Sequence, residues 1–297
     1  MNGIINVLKP PGMTSQNVVS YVKKELNVKK AGHTGTLDPG AAGVLPVCIG
    51  KATRVSEYLI NDKKSYRAEL QLGYKSDTLD KYGIVEKASI PDFNKDDIER
   101  VFESFKGVIY QTPPMFSALK KDGVRLYDLA RAGITVDRKE RKVNIYDINI
   151  LTINGYKILF DVTCSKGTYI RTLCSDIGEA LGGYGIMSFL LRTRTGPFDI
   201  SKSVKLDDIK GILYNGNIDD ILNPTFYALD EYSRIFVPRE IADKIKNGVG
   251  FHYSDIKRYE KRNNDEILVI FDEENNFLAI GKITKENNQI NIDKVFI

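Results

Sequence analysis

Two histidines, His33 and His252, and three cysteines, Cys48, Cys164 and Cys174, are all that 297 residues hold of the usual zinc ligands, and no C-x-x-C pair occurs among them. No metal site is expected from so few donors, and an odd set of scattered thiols is no disulfide framework. The thiols suit a reducing, cytoplasmic location. No run of roughly eighteen apolar residues occurs, and the stretch from Met1 to Pro10 lacks the basic end and apolar core of a signal peptide, so neither a membrane span nor export is expected. The phosphate-binding loops are missing as well. Gly50-Lys51 is followed by Ala52, Leu45 stands where the Walker pattern needs its first Gly, and no G-x-G-x-x-G follows a strand. Nothing therefore points to NTP or NAD, and no cofactor is expected. The lack of a Ser/His/Asp order argues against that type of hydrolase.

What remains is the composition of an ordinary globular protein, with 42% apolar and 28% charged residues and enough length for more than one domain. The net charge of +4 is small but unevenly placed: Lys120 to Lys142 holds eight basic residues against four acids, which leaves the rest of the chain neutral. Taken alone such a run reads as a solvated face; as a local excess it suits a clamp on a polyanion.

Along the chain, Gly3–Leu8 reads as a strand stopped by Lys9-Pro10-Pro11-Gly12, after which Thr14 or Ser15 caps a helix carrying Val18, Val19, Val22 and Leu26. Strands are expected over residues 44–49, over 65–72, where Tyr66, Ala68, Leu70 and Leu72 share one face, and over 83–88, with a helix over 52–60 before the second of these. Asn94 caps a helix with Ile98, Val101, Phe102 and Phe105 on its buried side, and Val108–Tyr110 is extended. The basic segment holds one short helix over 126–132 and reads as a mobile insertion near 117–146. An antiparallel pair over 143–153 and 156–164, a helix over 169–181 and a strand over 187–194 complete the main unit. Pro238 then opens a helix, and residues 267–271 pair with 277–283, so a small barrel is expected over 234–297, behind a main domain over 1–233.

The stretch Gly32–Gly50 is the natural centre of chemistry. Five glycines and two prolines force tight turns there, and they enclose His33 and Asp38 with almost no other charge nearby. Each candidate has a plainer reading. Asp-Pro is a favoured turn pair, a histidine between glycines is commonly structural, Tyr66 on an alternating strand is commonly core, and Arg171 reads as an exposed helix residue.

Their joint order carries more. Lys9-Pro10-Pro11-Gly12-Met13-Thr14-Ser15, Gly32-His33-Thr34-Gly35-Thr36-Leu37-Asp38-Pro39, Lys64-Ser65-Tyr66-Arg67-Ala68, Asp77-Thr78-Leu79-Asp80, Pro113-Pro114-Met115-Phe116-Ser117-Ala118, Cys164–Leu173 and Leu190–Phe198 together resemble the TruB family of tRNA pseudouridine synthases across nearly the whole chain. The resemblance implies an α+β catalytic domain with a mixed, mostly antiparallel sheet and a C-terminal PUA-like RNA-binding barrel. It implies isomerisation of uridine 55 in the T-arm loop of tRNA, without a cofactor. Asp38 is then the catalytic aspartate, Tyr66 the ring that stacks on the target base and a candidate for the late proton abstraction, and Arg171 the partner of the aspartate. Tyr169 and Leu190 line the uracil pocket, His33 contacts RNA near the flipped base, and Lys9 and Asp80 complete the substrate-binding set from behind.

Physical chemistry agrees with that casting. An arginine beside Asp38 is expected to lower its pKa and keep it ionised. Flipping a base out of a folded loop costs a few kcal/mol, and stacking on an aromatic ring returns about 1–3 kcal/mol. The expected partner is the tRNA T-arm stem-loop, bound by a monomer that needs no protein partner. Two other readings stand beside this one: a guide-RNA-dependent relative that works with partner proteins, against which this chain has no long basic tail, and a non-catalytic RNA-binding protein or tRNA folding chaperone on the same scaffold, against which the retention of Asp38, Tyr66 and Arg171 argues.

Overall fold

A computed structural model describes residues 1–90, 92–262, 264–284 and 288–297. The strands that build the main sheet are β1 (Gly3–Lys9), β2 (Ala42–Ile49), β3 (Lys64–Leu72), β4 (Gly107–Gln111), β5 (Arg141–Asn154), β6 (Lys157–Cys164) and β7 (Gly185–Thr195). They lie in the order β1-β2-β7-β3-β6-β5-β4, with the short strand Val204–Lys205 outside β1. Only the β2–β7 and β1–Val204 contacts are parallel; the other pairings along this order are antiparallel, as expected of a mixed, mostly antiparallel sheet.

Helices cover the sheet because their apolar residues recur at helical spacing. In α1 (Ser15–Glu25) Thr14 is the N-cap, accepting from the Asn17 amide, while Val18, Val19 and Val22 pack with Ile5, Val7, Leu45 and Ile209. In α2 (Lys95–Ser104), capped by Asn94, Phe102 meets Phe160 of β6 edge to face at 5.3 Å. In α3 (Ile170–Ala180) Leu173, Cys174 and Ile177 are fully buried against Ala68, Leu70 and Phe160. Truncating Leu173 to Ala there would cost about 2–5 kcal/mol. The segment over 52–60 is a turn of 3₁₀ helix, Gly50–Val55, running into a short α-helix, Ser56–Asn61.

The basic segment is polar on nearly all sides. A two-stranded ladder, Lys120–Lys121 with Val124–Arg125, leads into the short helix Leu126–Arg131, which buries only Leu126 fully.

Beyond α4 (Leu206–Asn215) a second sheet begins at β8 (Tyr232–Val237) and continues through β9 (Asn264–Asp272), β10 (Phe277–Thr284) and β11 (Gln289–Val295). Its six strands follow the order Phe251–His252, β11, β10, β9, β8, Arg258–Glu260, a curled half-barrel. The hairpin expected after residue 267 is β9–β10, turning through Asn275 at φ +65°. One helix, α5 (Arg239–Lys246), closes this sheet with Ile241, Ala242 and Ile245. Tyr232, Phe236, Val269 and Phe271 of the second sheet share a core with Ile4, Val44, Cys48 and Tyr58 of the main unit.

Candidate active site

The loop between the short strand Ala31–His33 and β2 is pinned residue by residue. Ser15 Oγ accepts from the Leu37 amide at 2.8 Å and donates to its carbonyl at 3.1 Å. The Lys9 ammonium donates to the carbonyls of Met13, Pro10 and Pro39 at 2.6, 2.9 and 3.2 Å, and the Gly12 amide reaches the Pro39 carbonyl at 2.8 Å. Asp38 is thus held between two fixed neighbours, and the Ala41 amide closes the turn on its carbonyl at 3.0 Å. Past the loop, Gly43 at φ +120° lets β2 lie directly on the Arg192 backbone, where any Cβ would collide.

Asp38 faces Arg171, the second residue of α3. The guanidinium meets both carboxylate oxygens, Nε to Oδ2 at 3.0 Å and Nη2 to Oδ1 at 3.4 Å, and also donates to the carbonyls of Phe116 at 2.8 Å and Thr78 at 3.1 Å. Asp80 approaches Nε at 3.8 Å and accepts from Thr78 Oγ1 at 2.7 Å and the Tyr82 amide at 2.9 Å. One buried arginine therefore joins the aspartate loop, the turn at 78–80 and the entry to the basic segment.

A cavity of about 250 Å³ opens over this pair, and Asp38, Tyr66, Tyr169, Arg171 and Leu190 all line it. The Asp38 side chain is 40% exposed, the Arg171 side chain 6%. Tyr66 projects from the buried face of β3, directly across from Arg192 on β7. Tyr169 is the N-cap of α3; the buried Gln111 side chain grips its backbone twice, accepting from the amide at 3.0 Å and donating to the carbonyl at 3.3 Å. The remaining candidates lie outside that wall. Lys9 is fully buried and Asp80 is 6% exposed, so both stand behind the cavity as supports rather than as contacts. His33 lies at the start of the loop, half-buried, with its Nδ1 accepting from the Gly35 amide at 3.3 Å.

The electrostatics correct one expectation. Burial raises the Asp38 pKa above the ordinary carboxylate range; Arg171 and then Lys9 oppose the rise, and the neighbouring Asp80 charge adds to it. Arg171 stabilises the carboxylate without overriding the loss of water around it, so this acid is more basic than a free aspartate. Burial likewise pushes the Tyr66 hydroxyl up to about 12, with Arg192 the main opposing influence. At neutral pH Tyr66 is a phenol. The Lys9 ammonium falls to about 8 through burial, partly offset by Asp38, and His33 is pushed down by burial and by Arg192.

Three residues of this site were not singled out from the sequence: Ser15, Gln111 and Arg192. The first two act through partners 22 and 58 positions away, which no local pattern reveals. Arg192 did carry a signal. Strand alternation sets it on the same face as Leu190, and a charge at a core register position is a reason to look; it is 1% exposed and donates to the carbonyls of Val44 at 2.8 Å and Gly35 at 3.1 Å.

An acid paired with an arginine, open to a base-sized cavity walled by Tyr66 and Tyr169, is a site for chemistry on a planar substrate, and no metal-ligating cluster occurs among the described residues. Residues 23–170 match the family model of the TruB family pseudouridylate synthase N-terminal domain, and residues 171–231 that of the tRNA pseudouridylate synthase B C-terminal domain. Fold and site together define a pseudouridylate synthase, an isomerase. Relatives named tRNA pseudouridine synthase B include one from Clostridioides difficile, 47% identical with all of both chains covered, and one from Alkaliphilus oremlandii, 50% identical over 84% of this chain and 82% of that one. This chain belongs to the TruB family. Among solved structures, it superposes on a Cbf5–Nop10–Gar1 complex with a TM-score of 0.80 at 31% identity, covering 99% of this chain and 85% of that one. An H/ACA RNP bound to a substrate RNA containing 2′-deoxyuridine matches with a TM-score of 0.79 at 29% identity, again over 99% of this chain and 85% of that one.

Proposed function

We propose that this chain converts uridine 55 in the T-arm loop of tRNA to pseudouridine. The observation that carries the reading is the Asp38–Arg171 pair on the floor of an open cavity that also presents the Tyr66 side chain. The target uridine leaves the RNA stack and enters the cavity, where the Tyr66 ring stacks on it and Tyr169 and Leu190 enclose it. The Asp38 carboxylate drives cleavage of the bond from ribose C1′ to uracil N1. The base turns within the cavity, C5 bonds to C1′, the C5 proton departs and N1 gains one, with no net redox change. Arg171 holds Asp38 in its reactive orientation, and Tyr66, a phenol at rest, takes the C5 proton only as the phenolate that Arg192 opposite it favours. Lys9 and Asp80 support the loop and the arginine from behind, and His33 meets the RNA beside the flipped nucleotide.

The exposed basic residues between 117 and 146 clamp the phosphates of the T-arm, and the C-terminal half-barrel, residues 234–297, serves as a PUA-like RNA-binding domain behind a catalytic domain of residues 1–233. The chain works in the cytoplasm as a monomer without a protein partner. In support, a relative named tRNA pseudouridine synthase B is 47% identical to it with all of both chains covered, and no helix among the described residues is long and apolar enough to cross a membrane. The test is incubation of the purified chain with an unmodified tRNA transcript and mapping of the product. Pseudouridine at position 55 from the wild type, none from Asp38→Asn, and near-equal tRNA binding by both are expected; wild-type product elsewhere or nowhere, or normal product from the variant, refutes the reading.

A further inference from the structure

Next to the main cavity, a shallow cleft is lined by Gly40, Lys81, Tyr82, Ser188 and Phe189. It adjoins the cavity at Asp38 and Leu190, which line both. Two of its side chains are large aromatics left in water: Tyr82 is 61% exposed and Phe189 is 41% exposed. They are neighbours because the turn at 79–81 runs beside β7, with the Lys81 amide donating to the Met187 carbonyl at 3.2 Å and Asp80 bridging in parallel to Met187.

Tyr82 is held still. Its amide donates to Asp80 Oδ1 at 2.9 Å, its hydroxyl donates to the Gly40 carbonyl at 3.2 Å, and its ring lies so close over Gly40 that a Cβ there would collide with it. The Lys81 ammonium stands 5.3 Å from the ring centroid. A fixed ring that is mostly exposed and continuous with a catalytic cavity has the makings of a stacking platform for an unpaired base, with the flexible Lys81 ammonium that lies over the ring within reach of its phosphate.

We propose that Tyr82 and Phe189 form a second base subsite, which takes the nucleotide adjacent to the target uridine once both have left the stack. The inference rests on the RNA reading above. It assigns the cleft a nucleobase and its phosphodiester as occupant, on the strength of the exposed rings, the Lys81 charge and the continuity with the site of Asp38. Tyr82 is also joined through Asp80 to Arg171, since its amide donates to Asp80 Oδ1 and Asp80 Oδ2 lies 3.8 Å from Arg171 Nε.

The experiment uses the full chain and a T-arm stem-loop RNA, with each nucleotide flanking the target replaced in turn by an abasic residue. Replacing Tyr82 and Phe189 together with Ala is expected to lower kcat/KM about tenfold, the size of one stacked base, and Tyr82→Phe, which keeps the ring but loses its hydrogen bond to Gly40, to lower it by less than the double variant does. An abasic residue at one flanking position is expected to lower wild-type kcat/KM by a similar factor and to leave the double variant unchanged. Wild-type kcat/KM in the double variant, or losses that multiply with the abasic residue at both positions, overturns the subsite while the wild type still makes product. A wild type that makes no pseudouridine in the intact stem-loop overturns the RNA reading itself, and the subsite with it.

Discussion

Arg171→Met removes the contact on which the site turns. The guanidinium spans Asp38 at 3.0 and 3.4 Å and supplies the carbonyls of Phe116 and Thr78 at 2.8 and 3.1 Å. Breaking a fully buried pair from one side costs about 3–5 kcal/mol, whereas an exposed pair is worth about 0–1 kcal/mol. With side chains 6% and 40% exposed, this pair falls between those limits, at about 2 kcal/mol once solvent screening at Asp38 is allowed for. Each stranded carbonyl adds about 1 kcal/mol, for a loss near 4 kcal/mol. Urea unfolding followed by circular dichroism reads that loss, and the cycle through Asp38→Asn isolates the pair. The double variant should be less destabilised than the sum of the single ones by about 2 kcal/mol. Additivity within about 0.5 kcal/mol refutes the coupling, and an Arg171→Met protein as stable as wild type refutes the whole account of how the three segments are joined.

The acid limb of kcat/KM should lie above the usual aspartate range because burial raises the Asp38 pKa, and Asp80→Asn, which deletes a negative charge beside it, should move that limb to lower pH; an unmoved or raised midpoint refutes this electrostatic role. Asp62, raised to about 7 by burial, binds a proton in the folded state that the unfolded chain releases near pH 4. Its contribution to stability is therefore present below about pH 4 and is lost as pH rises through about 7, so Asp62→Asn should raise the melting temperature more at pH 8 than at pH 5; an equal effect at both refutes it. Replacing the exposed Lys139, Arg141 and Lys142 with Gln should weaken tRNA binding and reduce the salt slope by about 0.7–0.9 for each phosphate no longer neutralised; an unchanged slope removes the clamp. Arg138 is kept in that variant, since it donates to the Pro113 carbonyl at 3.0 Å and holds the segment in place.

Elements written in local periodicity were legible in advance. The alternation of Tyr66, Ala68, Leu70 and Leu72 predicts β3 and its buried face, and Thr14 and Asn94 mark the starts of α1 and α2. The candidate site was legible only as a set of motifs, because what sets Asp38 apart from an ordinary turn residue is contact with Arg171, 133 residues away. Balances between opposing forces were not legible. The motif pairs Asp38 with an arginine and suggests a low pKa, but the sign depends on how much water the folded loop excludes, which is a property of packing. Ser15 shows the same limit from another direction. Beside a helix start it reads as a cap, while Thr14 fills that role and Ser15 holds the backbone of Leu37.

The apolar core common to the two sheets makes the C-terminal half-barrel a rigid extension rather than a tethered module. Tyr232 packs on Tyr58, Phe236 and Phe271 share the cluster that holds Val44 and Cys48, and Asp293 of β11 accepts from the Tyr58 hydroxyl at 2.9 Å. A chain cut before Tyr232 would leave the back of β2 greasy and bare. The span from the half-barrel to Asp38 is consequently set by side-chain packing, as within one folded body, and not by the reach of a linker.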